Sequence, residues 1–188
     1  MFGTFDIRTE EMPSEMRILL NEYPRDNWEA HPGFKEKTRH WLGAHQMFRQ
    51  LAQITRKETE RFLDKSRAAG DFAVQLSYYG DALVRNLRGH HSWEDHSYFP
   101  ELSAADPRFE AGLEILEKDH EALDVVLNSF AKTANQAIKL VQLDKKQARE
   151  VAGNLHSVAE TIEAFLQRHL SDEEELAVPI ILHHRLRG

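Results

Sequence analysis

Two stretches of this chain place histidine and glutamate at a spacing that can hold a cation. His90 and Glu94 stand four residues apart in HHSWEDHSYFP, and His169 and Glu173 stand four apart in HLSDEEELAVP. Four residues advance a helix by about 6 Å and turn it by about 40°, so each pair projects from one helix face. In both stretches a second acid follows at once (Asp95, Glu174), and a proline lies ten residues beyond the histidine (Pro100, Pro179). A lone histidine precedes each stretch, His45 by forty-five residues and His120 by forty-nine. The two halves therefore read as one design used twice.

Ionised carboxylates inside a helical core each cost several kcal/mol unless they are paired or bound to metal. Two cations would neutralise such a cluster. Imidazole suits iron, zinc, copper and nickel, while bridging carboxylates favour harder ions, so a mixed His/Glu set points first to a dinuclear iron centre. Zinc or manganese would also accept these ligands. Two six-coordinate ions offer about twelve positions, of which four imidazoles fill four and two bridging glutamates four. The remainder is open to an oxo or hydroxo bridge, water or an incoming small molecule.

Positioning these residues requires long helices. Apolar residues recur at three- and four-residue steps from Gly33 to near Gly70, which predicts a first long helix. A second is expected from Asp71 to about Phe99, where Pro100 stops it. Asp106 as N-cap and Pro107 as first helical residue open a third, through His120 to about Val141. Asp144 with Gln147 reads as a capping box for a fourth, ending near Leu176 before Pro179. Short connections between them predict an all-α fold, an antiparallel up-down-up-down four-helix bundle over residues 33–180. Residues 1–32 form a lead-in with a short helix packed on the outside, and 181–188 a tail. Counting from the turns puts His45 and Glu94 at similar levels, and likewise His120 and His169. Four imidazoles and two carboxylates should thus share one layer.

The remaining composition narrows the function. With no cysteine, disulfide scaffolds, Cys-based zinc sites and thiol catalysis are excluded. Against 24 Lys plus Arg stand 31 Asp plus Glu, a net charge of -7 with no concentrated basic face, which argues against nucleic acid. Asp6, Arg8, Glu10 and Glu11 interrupt any leader-like apolar stretch, and no apolar run is long enough for a membrane span, so a cytoplasmic protein is expected.

At residues 34–180 the order His, His-x-x-x-Glu, His, His-x-x-x-Glu with proline-terminated repeats resembles the hemerythrin-like HHE cation-binding domains. These are di-iron four-helix bundles that handle dioxygen, nitric oxide, peroxide or iron itself. The resemblance implies His45, His90, Glu94, His120, His169 and Glu173 as ligands of two non-haem Fe ions, oxo- or hydroxo- and carboxylate-bridged, with Glu94 and Glu173 as the bridges. The chain departs from the oxygen-carrying members on the third helix, where their His-x-x-x-His pair is replaced by Leu116 and Asp124 around His120. That loss opens a coordination position and points away from reversible oxygen storage, toward peroxide or nitric oxide chemistry or iron sensing. The expected function is to bind or turn over O2, peroxide or NO. If this is an enzyme, it is a peroxide- or NO-directed oxidoreductase. The alternative is an iron- or oxygen-responsive regulatory module acting through a protein partner.

Other histidines rank lower. His156 with Glu160 faces away from the layer, about 220° round the helix from His169, and reads as a solvated pair. His91, about 100° from His90, is placed to pair with Asp95 and is a lesser candidate ligand, as is Glu174. His31, His40, His96, His183 and His184 fall off the layer or its face. The acidic run Asp172–Glu175, apart from Glu173, reads as a solvated face. Trp41, Phe48, Trp93, Tyr98 and Phe99 are expected as apolar walls. Tyr78 and Tyr79 lie about 17 Å along the axis from His90, too far to ligate.

Overall fold

The computed structural model describes residues 5–186. Among these the chain is helical, with no strand: short α1 (Ile18–Glu22), then α2 (Glu36–Leu63), α3 (Ala69–Trp93), α4 (Phe99–Ala105), α5 (Glu110–Leu143) and α6 (Lys145–His184). No helix among the described residues is long and apolar enough to cross a membrane.

The helix ends show where local signals prevail and where packing overrides them. Asp106 accepts a hydrogen bond from the Arg108 amide and caps the single 3₁₀ turn Pro107–Phe109 that leads into α5. Asp144 Oδ1 accepts from the amides of Lys146 and Gln147, both at 3.0 Å. The Asp144 amide donates back to Leu140 rather than to the Gln147 side chain, so the cap forms as half of a capping box. α2 stops at Leu63, short of Gly70, because Lys65 takes a left-handed conformation (φ 67°).

Neither repeated proline ends its helix. Pro100 lacks an N–H, and its ring would strike the carbonyl four residues back. The chain accommodates it with one π turn, Glu94–Tyr98, closed by the Phe99 amide on Glu94 O, and α4 continues beyond. Pro179 lies inside α6, which runs on to His184. Leu176, Ala177, Val178, Ile180, Ile181 and Leu182 around it are all buried, and that burial holds the segment helical.

The chain divides into two compact units, and α2, α3, α5 and α6 each lend a segment to both. Among the described residues the first comprises 5–7, 48–89 and 122–166. Within it Phe62 on α2 stacks on Phe72 of α3, ring centres 4.2 Å apart. Arg56 of α2 pairs with Glu163 of α6, and Arg88 of α3 with Asp124 of α5. Among the described residues the second comprises 8–47, 90–121 and 167–186. Its core takes in Met12, Met16, Leu19 and Trp28, so the lead-in contributes buried side chains rather than an outer layer. Every histidine and glutamate expected to ligate falls in this second unit.

Candidate metal centre

His45 enters the site from α2, His90 from the end of α3, Glu94 from the first residue of the π turn, His120 from α5, and His169 and Glu173 from α6. The π turn matters because it sets Glu94 immediately beyond His90 at a point where the helix is locally rewound. His45, Glu94, His169 and Glu173 are wholly buried, and His120 is nearly so.

The six side chains converge. His45 Nε2 lies 3.1 Å from His90 Nε2, and His90 Nε2 lies 2.9 Å from Glu94 Oε1. Glu173 Oε1 is 3.2 Å from His120 Nε2 and 3.4 Å from His169 Nε2. Each carboxylate reaches both sides: Glu94 Oε2 lies 3.8 Å from His120 Nε2, and Glu173 Oε2 lies 3.6 Å from His45 Nε2. The triads His45/His90/Glu94 and Glu94/His120/Glu173 each bring one ligand atom per residue within 4.8 Å of the others.

A second layer orients the imidazoles from behind. His45 Nδ1 donates to Glu174 Oε1 at 3.1 Å, His120 Nδ1 to Asp95 Oδ1 at 2.6 Å, and His169 Nδ1 to Asp119 Oδ2 at 3.3 Å. A carboxylate on Nδ1 fixes the ring and leaves Nε2 turned inward as a more basic donor. The acid that follows each repeated glutamate thus serves the lone histidine of the other half, Asp95 holding His120 and Glu174 holding His45. Behind these, Arg8 of the lead-in bridges Asp119 and Asp172 at 2.7 and 2.6 Å, and Arg25 meets Glu174 at 2.6 Å. Asp172 and Glu174 are buried, so the acidic run of α6 is not the solvated face its composition suggests. Asp95 takes His120, not His91, as its partner.

Burial alone would depress the His45 pKa, but the Glu174 and Glu94 carboxylates outweigh it and hold the group up at about 9. His120 is likewise opposed by burial and raised to about 10 by Asp95 and Glu173. Burial pushes the Glu173 carboxyl up, yet His169 and His120 carry it well below the usual range. Burial also favours the neutral form of Asp119, and His169 with Arg8 reverses this to about 2. His91 moves the other way: burial first, then the neighbouring His120 and His169, lower it well below an ordinary imidazole.

The donor set fits a pair of cations. Glu94 Oε2 and Glu173 Oε2 are buried without a hydrogen-bond partner among the described residues, and each faces an imidazole beyond hydrogen-bond range. Buried carboxylate oxygens in that state are costly unless a cation meets them. Trp41 Nε1 donates to Glu94 Oε1 at 2.7 Å and fixes that carboxylate's orientation. Trp41 and His90 also border a cavity of about 470 Å³ with Trp93, Tyr98, Lys37 and Glu101. Trp93 is half exposed there, not a core wall.

The remaining histidines do other work. His31 accepts from the Gly33 amide, His40 sits near Glu36, His96 bonds Ser92 O, His183 meets Tyr23, and His184 pairs with Asp106. His156 pairs with Glu160 in the first unit. The orienting acids Asp95, Asp119 and Glu174 were signalled only by adjacency to candidate ligands. Asp95→Asn is expected to weaken metal binding about 10- to 100-fold while the metal-free helix content stays unchanged, read by competitive chelator titration and circular dichroism.

A family profile described as Hemerythrin HHE cation binding domain matches residues 36–181. No curated protein matches the chain, and no solved structure does either.

Proposed function

Because the chain belongs to the hemerythrin HHE cation-binding domain family, we propose that it is a non-haem di-iron protein that binds or turns over a small oxygen or nitrogen species, O2, peroxide or NO. In this reading the long helices run as an antiparallel four-helix bundle. His45 and His90 would hold one ion and His120 and His169 the other, with Glu94 and Glu173 placed to serve both.

The observation that carries the reading is the convergence of four imidazoles, three of them buried, on two buried carboxylates that each have one oxygen without a hydrogen-bond partner among the described residues. When bound, the iron pair supplies Lewis acidity and reversible redox chemistry. The chain supplies the rest. Glu174, Asp95 and Asp119 hold the imidazoles in the ligating orientation, and Trp41 holds Glu94. Trp41, Trp93 and Tyr98 give the adjoining cavity an apolar wall beside His90, which suits a small, weakly solvated molecule.

The test is metal content per chain by mass spectrometry on protein purified without added metal, beside the visible spectrum before and after peroxide or azide. About two irons per chain with a ligand-sensitive absorption are expected. No iron, and no colour after anaerobic reconstitution with ferrous iron, would overturn the reading.

A further inference from the structure

His91 has no place in the repeat, since one residue past His90 turns it about 100° away on an ideal helix. The structure nevertheless buries it, with 6% of its surface exposed. Its ring lies face to face with that of His120, 3.9 Å between centres and 8° between planes, and edge-on to His169 at 5.5 Å. One ring nitrogen each from His91, His120 and His169 falls within 4.8 Å of the others. His91 Nε2 has no hydrogen-bond partner among the described residues. A buried ring nitrogen with no hydrogen-bond partner, on an imidazole packed between two others, leaves a polar atom unsatisfied at a cost comparable to a lost hydrogen bond. A cation where the three nitrogens meet removes that cost.

We propose that His91 is a further metal ligand, a fifth imidazole that completes a three-histidine ion with His120 and His169. This rests on the dinuclear reading above. On α5 the positions four residues either side of His120 are Leu116 and Asp124, neither an imidazole. α3 supplies what α5 does not. The position next to His120 that the third helix leaves vacant is therefore filled from the second.

The two ions then differ. One meets His91, His120, His169, Glu94 and Glu173, five side chains, whereas the other meets His45, His90 and the two glutamates, four. With about six positions at each ion, room for an exogenous ligand concentrates at the His45/His90 ion. That side is the one His90 and Trp41 open to the 470 Å³ cavity.

The test compares the full-length wild-type chain with His91→Ala, both loaded anaerobically with ferrous iron and then oxidised. In wild type, paramagnetically shifted exchangeable imidazole N–H resonances should number five rather than four. In the variant one of these should vanish, and the second iron should bind at least about tenfold more weakly while the first is unaffected. Added imidazole should restore the second iron, which a merely structural role would not allow. Four resonances in wild type overturn the proposal whether or not the variant folds. So does a folded variant that binds both irons with unchanged affinity, and either result leaves the dinuclear reading standing. A wild-type chain that takes up no iron at all overturns that reading instead, and the role of His91 with it.

Discussion

On the di-iron reading proposed above, Glu173→Gln is expected to cost the protein at least one iron and to weaken metal binding by more than about 100-fold, beyond the usual effect of losing an outer-shell partner. Glu173 is wholly buried, with Oε1 facing His120 and His169 and Oε2 facing His45, so three imidazoles lose one anion in a single substitution. A glutamine keeps the shape and removes the charge. The metal-free chain should also lose about 3–5 kcal/mol near neutral pH, the cost of removing one partner from a buried ionic cluster. The next two residues calibrate the result. Glu174→Gln disturbs the outer face of His45 and the pair with Arg25, and should cost about 10- to 100-fold in affinity. Glu175→Gln touches only partly exposed pairs with Arg17 and Arg25 and should leave iron content unchanged. Iron content and chelator competition across the three variants, with circular dichroism to show that each folds, make the check. Equal loss at all three would mean that general negative charge on α6 matters, not the bridging position.

The gradient across those neighbouring acids also shows how far the sequence can be read. The repeat made the inward layer legible, because a four-residue spacing fixes a common face once a helix is assumed, and the helix signals around His45, His90, His120 and His169 are strong. It could not reveal the outer layer. Asp95 and Glu174 sit one residue past Glu94 and Glu173, and whether such a side chain points to solvent or across to another helix depends on the partner helix's position. The same limit applies to His91. The helix turns it away from His90, but only the position of α5 decides that His120 lies against its ring. Helix ends were misread at Pro100 and Pro179 for a related reason. Proline's local penalty of about 3 kcal/mol is real, but a π turn accommodates it at one site and the burial of Leu176–Leu182 outweighs it at the other. The lead-in's arginines had no local signal at all. Arg8 and Arg25 acquire meaning only beside Asp119, Asp172 and Glu174, more than a hundred residues away in sequence.

Removing iron should lower the melting temperature, and the size of the drop should depend on pH in a direction fixed by His45 and His120. A site filled at about a thousand times its Kd contributes about 4 kcal/mol, which for a chain of this length is about 8–16 °C. In the metal-free chain both imidazoles are held protonated, up to about pH 9 and about pH 10, against about 6.5 when unfolded. Their contribution to stability is therefore complete below about pH 6.5 and fades as pH rises through 9 to 10. The carboxylates act oppositely: Glu173 is lowered and Asp119 sits at about 2, so their contribution is present above the ordinary carboxylate range and fades in acid. The metal-free protein should thus be most stable in mildly acidic solution and weaken steadily toward alkaline pH. Metal must displace the protons on His45 and His120 to bind, so affinity should rise with pH over the same interval and protons should be released on loading. The gap between loaded and chelated melting temperatures should be wider at pH 8.5 than at pH 6. Calorimetry at the two pH values, with proton release measured in buffers of different ionisation enthalpy, tests this directly. A gap that does not change with pH, together with no proton release, would mean that bound metal does not meet these two imidazoles.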